Sequence, residues 1–382
     1  MNHQYRFSRQ SSHFVSRDLE PNIWQRLHID PWLLLLLLSI CFIGLTVLYS
    51  ASTQDLDMVI RQMVSYGIAF GIMIAMAQVS PNVYRTLTPI FYVFGLILLI
   101  LVEIIGEVRM GAQRWIKIPG FGSVQPSEFM KLGMPMMCAW YLSKKELPPN
   151  IKTVLTTLVI IAIPVLLIAK EPDLGTSILV AASGLFVLFL AGLPWWMIGG
   201  AIAALIPFLW VMWTFLMHDY QKTRVITLFN PEADALNKGW NIIQSQTAIG
   251  SGGLTGKGYL EGTQSHLHFL PEGHTDFIIA AFSEEFGLAG VLLLLFFYCC
   301  LLMRSFYIAF VNPDAYCRLL AGALTLSFFV YIFVNMGMVG GILPVVGVPL
   351  PFVSYGGTAV ITLMAAFGLL TCIHTHQSNS NY

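Results

Sequence analysis

Long apolar stretches separated by short polar connections run through most of the chain. Windows of about 20 mostly apolar residues suffice to cross a hydrocarbon core of about 30 Å as a helix. Such windows recur at 32–50, 58–78, 86–106, 127–143, 152–170, 174–192, 194–217, 277–303, 316–341 and 350–373. Their leucines, isoleucines and phenylalanines come in runs, not in the apolar–polar alternation that strands of a membrane barrel require. The pattern predicts an all-α fold, a polytopic transmembrane helical bundle of about ten helices. It divides the chain into a cytoplasmic N-terminal tail (1–31), one membrane domain (32–373) and a short cytoplasmic C-terminal tail (374–382). The first apolar run follows a polar segment and is too long for the core of a cleaved secretory signal, so it reads as a retained anchor.

Composition sharpens this picture. Of 382 residues, 56% are hydrophobic and 10% charged, against about 25% charged in soluble domains. Twenty basic and 20 acidic residues cancel, so nothing favours nucleic acid, and any electrostatic function must be local. Basic residues near the helix ends set the orientation. With the N-terminus inside, ten fall on the cytoplasmic side: Arg6, Arg9, Arg17, Arg26, Arg85, Lys144, Lys145, Lys152, Arg304 and Arg318. Five fall outside: Arg61, Arg109, Arg114, Lys117 and Lys170. The long connection at 218–276 is left out, because long loops translocate largely regardless of charge. An even number of crossings then returns the C-terminus to the cytoplasm. None of the six cysteines falls in an outer loop, which argues against a structural disulfide.

The 218–276 connection departs from a plain bundle, since loops of that length are usually functional or disordered. Tyr220, Phe229, Trp240, Ile242, Ile243, Leu260 and Phe269 give it the composition of an ordered segment. Residues from Trp240 to Ile249 fit either a short amphipathic helix at the outer lipid surface or an irregular loop over the bundle mouth. The glycine-rich stretch Gly250–Gly258, with Lys257, fails the phosphate-loop pattern at two positions. It reads as a flexible turn, or as backbone that could approach an anionic headgroup beside Lys257.

Charges at membrane depth are costly unless paired or set in a wet cavity. Glu128 and Lys131, three apart, share a helix face and form either a locking ion pair or the wall of an outward polar cavity. The basic segment with Arg109, Arg114 and Lys117 favours the cavity. A second cluster, His274-Thr275-Asp276, is followed by Glu284 and Glu285, at least one of which must face protein or water. Asp276 can be a helix N-cap or a general base at the outer mouth. A third cluster spans Asn335–Gly341 and Leu343–Thr358, where prolines and glycines interrupt helix. Irregular backbone at membrane depth persists only where protein buries it or it lines a cavity, which places Ser354 in that cavity.

Five blocks then make a resemblance visible: Gly111–Trp115, Gln125–Glu128, Pro172–Ser177, His274–Phe277 and Pro349–Gly357. In this order they resemble the SEDS family (shape, elongation, division and sporulation), and the short tails and the closing Ile373–His376 are similar to its elongation branch. The resemblance implies a peptidoglycan glycosyltransferase that polymerises lipid II during cell elongation on the outer face of the bacterial inner membrane. It also implies a class B penicillin-binding transpeptidase as partner. The family's catalytic aspartate falls on Asp276, its polar pair on Glu128 and Lys131, and its loop arginine on Arg224. Gly273 departs from the larger, often polar residue expected there. Counter-charge for a departing lipid diphosphate would come from Arg114, Lys131, Arg224 or a divalent cation, Mg or Mn, with no organic cofactor. His274, Lys257 and Ser354 complete the expected substrate-binding set. Two other classes share some of these features. A lipid-linked precursor flippase would also want a polar cavity, but the chain shows no paired repeats. A non-catalytic scaffold for the transpeptidase would not need charges at the outer mouth.

Overall fold

The computed structural model describes residue 24 and residues 27–109, 112–118, 122–217, 219–230, 238–266 and 273–380. The basic tail residues Arg6, Arg9, Arg17 and Arg26, together with Gly111, Pro231 and Phe269–Glu272, lie outside the described residues. Ten long helices form the body: α1 (Pro31–Ala51), α2 (Leu56–Gln78), α3 (Pro81–Ile105), α4 (Pro126–Ser143), α5 (Ile151–Lys170), α6 (Leu174–Leu190) and α7 (Trp195–Val211) come first. Two shorter helices, α8 (Asp219–Phe229) and α9 (Lys238–Gly252), lie in the long connection, before α10 (Ile278–Val311), α11 (Ala315–Val339) and α12 (Gly357–Ser380). Eight of the ten are long and apolar enough to cross a membrane. The others are α6, apolar but only 17 residues long, and α4, which carries Glu128 and Lys131.

Local chemistry starts these helices where the apolar runs begin. Asp30 caps α1 through the amides of Trp32 and Leu33, with Pro31 at the first helical position. Asp55, Asn150, Asp173 and Asp314 cap α2, α5, α6 and α11 in the same way. Each side-chain oxygen accepts an amide hydrogen that the first turn cannot satisfy internally. The helix ends gather on two faces. On one, Arg304 binds Asp30 at 2.7 Å and Arg85 pairs with Asp314. On the other, the loop face, lie the long connection and the three expected polar clusters.

Helices α11 and α12 form the interior, while none of the spanning window of α7 is buried. Ile90, Ile104, Trp195, Ile206 and Phe215 are exposed, the arrangement expected where lipid is the solvent.

Three boundaries differ from the sequence expectation. The basic segment between α3 and α4 is not a plain loop but a small antiparallel sheet, β1 (Glu107–Arg109), β2 (Ala112–Ile118) and β3 (Gly122–Val124), in that order. The tenth helix begins at Gly357, not 350, because Pro344, Pro349 and Pro351 lack the amide hydrogen a helix needs. It then continues to Ser380, through most of the segment expected as a tail. Helix α10 is 34 residues long, yet Gly287 breaks it at φ 62°, ψ −164°.

Candidate functional site

The site is organised by the irregular segment 344–356 between α11 and α12. Its backbone groups are satisfied one by one by side chains from distant elements. Arg224 donates to the Val345 carbonyl at 3.2 Å and Asn335 to that of Val348 at 2.7 Å. The hydroxyls of Tyr298 and Tyr66 donate to Pro351 and Phe352 at 2.5 and 2.7 Å. Gln62 bridges the Ser354 carbonyl and the Gly356 amide. With these partners, non-helical backbone is tolerated at membrane depth.

Three site elements meet at Val345–Gly347. Arg224 arrives from α8. The first turn of α6 packs so closely that a Cβ added at Gly175 would sit 2.8 Å from Val346 Cγ1. Asp276 Oδ2 lies 3.4 Å from the position a Cβ on Gly347 would occupy. Gly347 holds φ at +80°, a left-handed conformation that glycine adopts without steric penalty.

The turn carrying Asp276 is pinned through three consecutive carbonyls. Tyr355 N–H donates to His274 O at 3.0 Å, Ser354 Oγ to Thr275 O at 2.6 Å, and Asn335 Nδ2 to Asp276 O at 2.9 Å. The N-cap of α10 is Phe277, so Asp276 directly precedes the cap position. His274 meets the Tyr355 ring edge-on at 6.4 Å.

Glu128 and Lys131 form a buried pair at 2.6 Å, with the Lys131 ammonium 5.3 Å from the Tyr331 ring centre. The locking ion pair is realised, and the same residues also line a largely apolar cleft running along Tyr331, Pro349–Phe352 and the inner face of α12. Asp276 is not part of that lining. The expected single hollow is instead two regions, joined by the 345–356 segment.

Arg114 sits on β2. It donates to the carbonyls of Glu171 and Pro172 and lies 3.9 Å from Asp173, which also accepts from Gln125 at 3.1 Å. Glu171 is 3% exposed, and neither carboxylate oxygen has a hydrogen-bond partner among the described residues. Burial, then repulsion from Asp173 and Glu103, pushes its carboxyl up to about 8 despite Arg114.

Two expected substrate residues have internal work. Ser354 Oγ accepts from Leu350 N–H while donating to Thr275. Lys257 binds the fully buried Glu284 at 2.6 Å, and Glu284 also accepts from Thr263 N–H, Thr263 Oγ1 and Gln264 N–H. The glycine-rich stretch is neither a free turn nor an open anion site. Its Lys257 and Gly258 amides donate to the carbonyls of Glu284 and Glu285, while Gly253 and Leu254 carbonyls accept from Leu288 and Ala289. The loop thus completes the hydrogen bonding of α10 across its break. Glu285 accepts from Ser50, so both acids face protein. The segment around Trp240 is helical, as α9, and turns Ile242, Ser245 and Ala248 inward.

Among the described residues, no three His, Cys, Asp or Glu side chains converge to hold a metal ion. Sequence reasoning singled out neither Asn335, Asp173 nor Gln125 as a site residue. Their only signal was to be polar positions inside or beside the quoted blocks.

A polytopic helical membrane protein whose irregular inter-helix segment gathers an aspartate-bearing turn and an arginine, with a buried ion pair in the same bundle, is the class these observations define. The FtsW/RodA/SpoVE family, described as cell cycle proteins, matches residues 31–379, and the chain belongs to it. It is 51% identical over 354 residues to the peptidoglycan glycosyltransferase MrdB of Escherichia coli K12, covering 93% of this chain and 95% of that one. It is 30% identical to the peptidoglycan glycosyltransferase RodA of Treponema pallidum, covering 91% and 98%. Among solved structures, a chain from work on polymerization and crosslinking by a peptidoglycan synthase complex matches at TM-score 0.79 and 29% identity, covering 91% and 98%. The rod shape determining protein RodA of Thermus thermophilus matches at 0.67 and 28%, covering 90% and 96%.

Proposed function

We propose that the chain is a peptidoglycan glycosyltransferase that polymerises lipid II during cell elongation, together with a class B penicillin-binding transpeptidase. Its loop face is the periplasmic face of the bacterial inner membrane, and both termini are cytoplasmic. The observation that carries this reading is the meeting of Asp276, Arg224 and the first turn of α6 at Val345–Gly347, with Arg114 bonded to the residues just before that helix. Asp276 takes the proton of the acceptor sugar's 4-hydroxyl as that oxygen attacks the anomeric carbon of the donor, and the lipid diphosphate leaves. Arg224, which reaches the same segment at Val345, is assigned to the departing diphosphate. Arg114 is held by the carbonyls of 171 and 172, and Lys131 by Glu128, so these two shape the site's potential from fixed positions. Among the described residues, no group of three His, Cys, Asp or Glu side chains converges to hold Mg or Mn.

The test is lipid II polymerisation by purified protein followed on gels. A positioned general base contributes about 10²- to 10⁴-fold, so Asp276→Asn is expected to lose at least about 100-fold in turnover. A near wild-type rate overturns the assignment.

A further inference from the structure

We infer that Asn335 is a positioning residue for Asp276: one buried amide sets the catalytic turn against the wall its carboxylate faces. The inference rests on the reading of Asp276 as the base. Asn335 lies near the end of α11 and is fully buried. Its Nδ2 donates to two carbonyls, Asp276 O at 2.9 Å and Val348 O at 2.7 Å. The amide orientation follows from these neighbours, because the flipped group would aim its oxygen at two other oxygens. Asn335 Oδ1, meanwhile, has no partner among the described residues. A buried amide oxygen left in that state is unfavourable, and an apolar side chain of the same shape would avoid it. An asparagine that keeps this burden while giving both hydrogens to the catalytic turn and its opposite wall fits a role beyond filling space.

The geometry explains what the amide adds. The two other clips on the turn, Ser354 Oγ to Thr275 and Tyr355 N–H to His274, come from the 344–356 segment itself. They tie the turn to that segment, which Tyr66, Gln62 and Tyr298 hold to α2 and α10. Asn335 ties both to α11. Val348 adjoins Gly347, which the Asp276 carboxylate approaches, so one bond holds the aspartate's own backbone and the other the stretch its carboxylate faces. Without them the turn and the Val348 stretch lose their shared tie to α11, and the carboxylate can shift against the wall it faces. A displacement of about 1 Å at a reacting group can cost about 100-fold in rate.

The experiment compares Asn335→Leu, Asn335→Ala and Asn335→Asp in purified full-length protein. It reads kcat and KM for lipid II polymerisation and the thermal midpoint in detergent. Leucine keeps the volume and removes both donors. Positioning predicts that Leu and Ala both lower kcat about 10- to 100-fold, with KM within about 2-fold. Asn335→Asp supplies one donor while protonated and loses it on ionisation, so its kcat relative to wild type falls as pH rises. Wild-type kcat in Asn335→Leu overturns the inference, because packing alone then suffices. If Asn335→Leu does not fold, the pH dependence of Asn335→Asp decides, and a flat ratio overturns it. Asp276→Asn is assayed alongside. Loss there with full kcat in Asn335→Leu overturns the positioning role alone, whereas wild-type turnover in Asp276→Asn overturns the base assignment and the positioning role together.

Discussion

Replacing Lys257 by methionine should open the loop over the α10 break and leave substrate affinity alone. Glu284 is completely buried and accepts from four donors, of which only Lys257 Nζ is charged. Removing one partner of a fully buried ion pair costs about 3–5 kcal/mol, because the other charge is stranded. Here the Lys257 side chain is 28% exposed and three neutral donors remain, so about 2 kcal/mol is a reasonable magnitude. That corresponds to about a 30-fold rise in the local opening constant, at about 1.4 kcal/mol per tenfold. Hydrogen exchange read at the Lys257 and Gly258 amides reports it directly, since both bond to carbonyls of α10. Glu284→Gln should produce a similar loss, because its new amide hydrogens face the N–H groups of Thr263 and Gln264. The double variant Lys257→Met/Glu284→Gln should be less destabilised than the sum by about 1 kcal/mol, the coupling expected of residues in contact. Unchanged amide protection in Lys257→Met, accompanied by a raised KM for lipid II, would refute the reasoning and return Lys257 to the substrate.

Two further variants probe the charged groups. Glu171 carries a carboxyl raised from 4.5 to about 8, so the folded state binds more protons than the unfolded chain between those values, and stability falls as pH rises across that window. Glu171→Gln should therefore show a flatter thermal midpoint from about pH 5 to pH 8 and a higher midpoint at pH 8; a wild type that gains stability across the same range contradicts the assignment. Lys131→Met strands the Glu128 carboxylate and is expected to cost about 3–5 kcal/mol, with Glu128→Gln/Lys131→Met recovering most of it in a detergent melt. A Lys131→Met protein that melts like wild type but turns over slowly would instead place the ammonium on the substrate.

What the sequence could determine is what depends on neighbouring residues. The length of an apolar run against the bilayer thickness predicted ten helices near their observed places. Spacing of three on one helix put Lys131 beside Glu128. The quoted blocks also marked Asp276 and Arg114 as site residues, and the family resemblance added Arg224. Other features needed contacts across the chain. Two of the three strands between α3 and α4 are only three residues long, too short for a periodicity to announce the sheet. Lys257 could not be assigned to Glu284, nor Ser354 to Thr275, 79 positions away, without the fold. The break at Gly287 was hidden inside a run apolar enough to be one helix, and its bonds are completed by a loop some 30 residues earlier. Val345–Gly347 became a meeting point only because proline and glycine keep that stretch out of a helix, leaving carbonyls that Arg224 and Asn335 reach from other elements. Unpaired backbone inside a membrane is too costly to persist, so side chains from the rest of the bundle must find it, and which ones do is a property of the packed molecule.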